Sequence, residues 1–142
     1  MEILLVEDNP GDVRLAKEAL KDAGSRSVLS VVGDGAEALA FLCHQGKYTD
    51  APHPDVILLD LNLPKKDGCA VLAVVKADEA LRRIPVIVLT GSQDDDDVLR
   101  AYGLRTNCYI VKPVDFQRFI EVLKSVEEFW MTVAQLPTRQ AA

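Results

Sequence analysis

Unbroken apolar runs alternate along this chain with stretches in which apolar positions recur every three or four residues. Ile3-Leu4-Leu5-Val6, Val28 to Val32, Val56-Ile57-Leu58-Leu59, Val86 to Leu89 and Asn107 to Val111 are short and mostly aliphatic. Such runs predict strands covered on both faces, as in a parallel sheet. Between them the period changes to that of a helix. Pro10, tolerated at a first helical position, opens a helix with Val13, Ala16 and Leu20 on one face and Gly24 as its stop. Ala36 to His44 predicts a short helix turning Ala38, Leu39 and Leu42 inward, followed by a loop from Gln45 to Pro54. Cys69 to Ala77 carries Val71, Leu72 and Val75, and Asp94 to Tyr102 predicts a fourth helix. From Asp115 a long fifth helix places Phe116, Phe119, Ile120, Leu123 and Val126 on one stripe.

Five β-then-α units without repeat or linker, joined by right-handed crossovers, predict an α/β fold: a single doubly wound five-stranded parallel sheet with an extended C-terminal helix. Residues 1–128 form the expected domain and 129–142 an extension of the last helix and a tail. Acidic residues end the first strand (Glu7-Asp8) and the third (Asp60). The flavodoxin-like order 2-1-3-4-5 sets those two strands side by side at the switch point, where open α/β sheets bind ligands, and is the order expected here.

Composition narrows the functions. With 142 residues, 49% of them hydrophobic, the chain has material for one full core and no second module. Sixteen Lys and Arg against 22 Asp and Glu leave a formal charge of −6, which repels phosphate backbones and anionic membranes. Neither nucleic acid nor membrane is an expected partner. The absence of a basic-then-apolar leader and of any apolar run near about 18 residues predicts a soluble, cytoplasmic protein. Cys43, Cys69 and Cys108 lack metal-ligand spacing and are expected as reduced, mostly buried thiols. His44 and His53 flank the 45–54 loop and are expected at the surface.

The candidate chemistry lies at strand ends. Thr90 follows the fourth strand and Lys112 the fifth, so Glu7, Asp8, Asp60, Thr90 and Lys112 all converge on one edge if the sheet is parallel. An aspartate closing a strand is commonly a turn former; three acids, a hydroxyl and an ammonium meeting there suggest more. Two unit charges roughly 5 Å apart repel by about 3 kcal/mol at an effective dielectric near 20. The trio therefore calls for a counter-charge, and hard oxygen ligands with room for water suit Mg²⁺, with the backbone carbonyl of Asn62 as a further ligand. Thr90 and Lys112 are the donor and cation that a phosphoryl group on Asp60 would need. The run Asp94 to Asp97 lacks calcium-loop spacing and fits a helix N-terminus.

With these residues in place, the stretch from Glu2 to about Glu128 resembles the receiver domains of two-component response regulators. The matching motifs are Glu7-Asp8, LLDLNLPKKDG around Asp60, VLTGS with Thr90, and Lys112-Pro113. The resemblance implies that Asp60 accepts a phosphoryl group from a sensor histidine kinase with Mg²⁺ bound, after which Thr90 and the aromatic Tyr109 rearrange. Glu7 stands where an aspartate is more usual, so its longer side chain is expected to reach the metal through water. NCYIVKPVD with the late EEFW and QLP is similar, more narrowly, to the stand-alone regulators that accompany bacterial and cyanobacterial phytochromes, which implies a bacteriophytochrome kinase as partner.

A signalling protein rather than an enzyme is expected, with slow self-dephosphorylation. The competing reading is a phosphohydrolase with Asp60 as nucleophile; that chemistry wants a general acid two residues on, where this chain has Asn62. Beyond the sheet, Phe129, Trp130, Val133 and Leu136 need cover. Burying an aromatic ring removes roughly 150–250 Å² from water, an upper-bound gain of about 4–6 kcal/mol. The resemblance implies a homodimer on the fourth helix, fifth strand and fifth helix, with Phe129 and Trp130 in the interface.

Overall fold

The computed structural model describes residues 1–22, 27–61, 68–90 and 108–111, together with four further helical positions, Glu121, Lys124, Ser125 and Glu128. Five strands, β1 (Glu2–Val6), β2 (Val28–Val32), β3 (Val56–Asp60), β4 (Val86–Thr90) and β5 (Cys108–Val111), form one parallel sheet in the order β2-β1-β3-β4-β5. This is the topology that the placement of the acidic strand ends predicts. Helices α1 (Pro10–Asp22), α2 (Gly35–Leu42) and α3 (Gly68–Ala77) occupy the connections described, with a 3-10 turn at Gly46–Tyr48.

The unbroken apolar runs are explained by two cores. Ile3, Leu5, Val56, Leu58, Ile87 and Leu89 pack with Ala16, Ala19 and Leu20 of α1 on one face. Leu4, Val6, Ile57, Leu59, Val86 and Val88 pack with α2 and α3 on the other, through Ala38, Phe41, Leu42, Val71, Leu72 and Val75. Alternate residues of one strand thus feed opposite cores, so the central strands are apolar except at their ends. β3 is buried at all five positions, whereas the edge strand β2 leaves Val28 and Val31 exposed.

Local differences from expectation have local causes. The second helix stops at Leu42, two residues short of its predicted end, because the chain turns into a positive φ of 55° at His44. Backbone bonds from His44 N–H to the Phe41 carbonyl (3.3 Å) and from Gln45 N–H to the Ala40 carbonyl (2.9 Å) close the helix in a Schellman arrangement. The expected 45–54 loop contains the 3-10 turn, whose Tyr48 packs on Phe41 with ring centroids 5.3 Å apart. Cys69 is buried as expected, but Cys43, as cap of α2, is exposed. Gly24, the helix from Asp94 to Tyr102, the apolar stripe of the fifth helix and the side chain of Cys108 lie outside the described residues. The helical positions 121, 124, 125 and 128 are all exposed, the i, i+3, i+4, i+7 complement of that stripe.

Candidate functional site

The strand register assembles the site. Val6 pairs with Leu59 and with Val32, so Glu7 stands level with Asp60 at the carboxyl edge. Alternation puts Glu7 with Ile3 and Leu5, and Asp60 with Val56 and Leu58, on the same side of the sheet, that of α1. Two backbone bonds fix the exits: Glu7 N–H donates to the Val32 carbonyl and Leu61 N–H to the Leu89 carbonyl, each at 3.0 Å. One step further along the sheet, Asp60 pairs with Leu89 and Thr90 with Val111. The backbone of Thr90 therefore ends β4 at this edge.

Carboxylate oxygens of Glu7, Asp8 and Asp60 lie within 4.8 Å of one another, the group of acidic side chains with metal-binding geometry among the described residues. Their burial differs: Glu7 is 2% and Asp60 3% exposed, while Asp8 opens to solvent. Burying a carboxylate costs several kcal/mol unless it is compensated, and here two are buried with a third beside them. Hard oxygen donors so grouped, with one side open to water, fit a divalent cation of the Mg²⁺ type, which keeps part of its hydration shell.

Two features that hold this geometry are not conspicuous in the sequence. Asn9 N–H donates to Glu7 Oε2 at 3.3 Å, while its own side-chain oxygen accepts from Gly11 N–H (2.8 Å) and Asp12 N–H (3.2 Å). One residue thus caps α1 and holds the Glu7 carboxylate. Gly68, which opens α3, donates its N–H to the Leu61 carbonyl at 3.0 Å and closes the loop that follows Asp60 at its base. A Cβ at this position would collide with the Asp60 carbonyl oxygen and lie 2.5 Å from the Leu61 Cα, so only glycine lets α3 approach the end of β3. The signal for Asn9 was the Asn-Pro pair, readable as a cap but not as a ligand to Glu7. For Gly68 it was the Asp-Gly pair, readable as a turn but not as a steric requirement.

Of the residues singled out from sequence, Glu7, Asp8 and Asp60 are brought together. Asn62 and Lys112, with Phe129 and Trp130, lie outside the described residues, as do the side chains of Thr90 and Tyr109. His44 and His53 are at the surface, but paired: Nε2 of His44 and Nδ1 of His53 are 3.5 Å apart.

Comparison with known proteins gives a concordant answer. The family model described as "Response regulator receiver domain" matches residues 3–124. The chain is 47% identical over 135 residues to the response regulator Rcp1 of Synechocystis sp., a match spanning 95% of this chain and 92% of that one. The phosphorylated cyanobacterial phytochrome response regulator RcpA superposes with a TM-score of 0.83 at 48% identity, covering 96% of this chain and 97% of RcpA. The Mn²⁺-bound form of Rcp1 superposes with a TM-score of 0.82 at 46% identity, covering 96% and 98% of the two chains. These matches do not favour the phosphohydrolase alternative, and among the described residues no helix is long and apolar enough to cross a membrane. The chain is a response regulator related to the response regulator Rcp1 and to the phytochrome response regulator RcpA, and it belongs to the receiver-domain family.

Proposed function

We propose that Asp60 is the phosphoacceptor and that Glu7, Asp8, Asp60 and the backbone carbonyl of Asn62 hold a Mg²⁺ ion beside it. The observation that carries this reading is the grouping of three carboxylates, two of them buried, at the end of the central strand. A carboxylate oxygen of Asp60 attacks the phosphorus of a phosphohistidine; the P–N bond breaks, the imidazole leaves with its electron pair, and an acyl phosphate forms. The cation, when bound, neutralises charge on the transferring phosphoryl oxygens. Thr90 and Lys112 then donate to the phosphoryl oxygens, and Tyr109 follows Thr90 into its new position. Support for this assignment comes from β4, whose backbone ends at Thr90 level with the acidic edge, and from β5, whose last residue pairs with it. Without a general acid two residues past Asp60, the acyl phosphate hydrolyses slowly, and the protein acts as a switch and not as an enzyme.

The donor is a sensor histidine kinase of the phytochrome type, a reading supported by the phytochrome regulator RcpA at 48% identity. The protein works in the cytoplasm. Residues 1–128 form the receiver, and 129–142 extend the last helix into a homodimer interface that includes Phe129 and Trp130. Incubation with acetyl phosphate and Mg²⁺ tests the central step: a hydroxylamine-labile acyl phosphate is expected in the wild type and none in Asp60→Asn, and labelling of that variant at the wild-type rate would overturn the assignment. Light scattering tests the dimer separately. A dimer that becomes monomeric on truncation after Glu127, while still accepting phosphate, is expected; a monomeric full-length chain at tens of micromolar would refute it.

A further inference from the structure

At the opposite end of the sheet, two histidines from different segments meet. α2 leaves the carboxyl edge after β2 and delivers His44 to the amino edge, and the segment entering β3 brings His53 there. Since β3 has five residues rising about 3.3 Å each, the pair stands roughly 15 Å along the strand direction from the carboxylate trio. The Nε2 of His44 and the Nδ1 of His53 are 3.5 Å apart, and the rings meet edge-on at 69° with centroids 4.5 Å apart.

The backbone brings both residues to this edge in defined conformations. His44 occupies the C′ position of the Schellman arrangement with φ 55°, where glycine is the usual residue and a side chain costs conformational energy. His53 stands between Pro52 and Pro54, and the second proline restricts it to extended backbone. Its segment is tied at both ends, by Ala51 N–H to the Tyr48 carbonyl (3.0 Å) and by Asp55 N–H to the Glu2 carbonyl (2.7 Å). Both imidazoles are reachable from solvent: His53 is exposed and His44 half-buried.

The geometry points to a two-histidine site for a divalent transition-metal ion of the Zn²⁺, Ni²⁺ or Cu²⁺ class, separate from the carboxylate site. Zn–N bonds of about 2.0–2.1 Å at a tetrahedral angle span roughly 3.3–3.4 Å between nitrogens, close to the 3.5 Å at which the two ring nitrogens already stand. Imidazole selects these borderline ions, whereas the hard carboxylates at the other edge select Mg²⁺ or Mn²⁺. Cys43, next in the chain, is exposed, but its sulfur does not converge with both imidazoles. Two protein ligands therefore leave the remaining positions to water or a small anion. An ion there ties the end of α2 to the segment entering the central strand.

Tag-free protein with Mg²⁺ in large excess, to occupy the carboxylates, is titrated with ZnCl₂ by calorimetry and by imidazole ¹⁵N spectroscopy. One zinc equivalent is expected, with coordination shifts at His44 Nε2 and His53 Nδ1. His44→Asn, which tolerates the same positive φ, and His53→Gln should each weaken zinc binding by on the order of tenfold or more, since a direct ligand matters at least as much as its outer-shell partners. Asp60→Asn should leave it unchanged. Zinc affinity that survives both histidine variants, that falls only with Cys43→Ser, or that leaves the two ring nitrogens unshifted would overturn the proposal.

Discussion

Two carboxylates on the α2 side and the β3 end of this molecule are treated in opposite ways. Glu37 of α2 has its own partners: the Tyr48 hydroxyl donates to Glu37 Oε1 at 2.9 Å, and Lys47 Nζ lies 3.2 Å from the same oxygen. The Tyr48 hydroxyl first, then Lys47, hold the Glu37 carboxyl below its ordinary value; burial and then Glu37 push the Tyr48 phenol up. Asp60 is buried at the sheet edge, and its carboxylate groups with those of Glu7 and Asp8 within 4.8 Å. The Glu37 pair is a local tie at the surface. A buried carboxylate grouped with two others has the geometry to take a divalent cation, and binding one there would relieve part of the repulsion among them.

Mg²⁺ at about a hundredfold excess over Kd should stabilise the protein by about 2.7 kcal/mol, because it binds only the folded trio. Asp8→Ala should erase that shift while, by relieving repulsion, raising the stability of the metal-free protein. Equal melting shifts in the two proteins would count against the site. Gly68→Ala should cost about 1–3 kcal/mol by forcing α3 away from the end of β3, and should slow phosphorylation although no ligand is removed. A stable, fully active variant would show that α3 shifts freely.

The Glu37 cluster should respond weakly and without any link to metal. Tyr48→Phe removes one hydrogen bond and should cost about 0.5–1.5 kcal/mol in urea unfolding, with the Mg²⁺ shift untouched. Smaller still, the exposed Lys47 pair contributes little to stability and fades with salt. Its pH dependence has a definite sign. Because the Glu37 carboxyl is depressed in the folded state, its contribution is complete above the ordinary value of 4.5 and is lost as pH falls below it. In Glu37→Gln that part of the acid limb should be missing from a pH series of unfolding midpoints.

Much of this arrangement was readable from residues alone, because the strands are covered on both faces and leave uninterrupted apolar runs. β1 and β3 ended where the first acid interrupted those runs or immediately after it, and parallel topology made convergence of Glu7, Asp8 and Asp60 obligatory. What was not readable depended on distance rather than pattern. The end of α2 moved because His44 accepts a positive φ, which its neighbours in sequence do not signal. The pairing of His44 with His53 needs the tertiary path of the 45–54 segment. Asn9 both caps α1 with its side chain and serves Glu7 with its backbone, a double role that no residue pattern announces. The steric demand at Gly68 exists only once α3 is docked against the end of β3.

The destination of the phosphoryl group is the property that matters most to a switch of this kind. Protein treated with acetyl phosphate and Mg²⁺, reduced with borohydride to convert any acyl phosphate to the stable alcohol, and mapped by peptide mass spectrometry should carry a single modification, at residue 60, and none when EDTA replaces Mg²⁺. Modification at another acid, or undiminished modification at Asp60 without the cation, would contradict it.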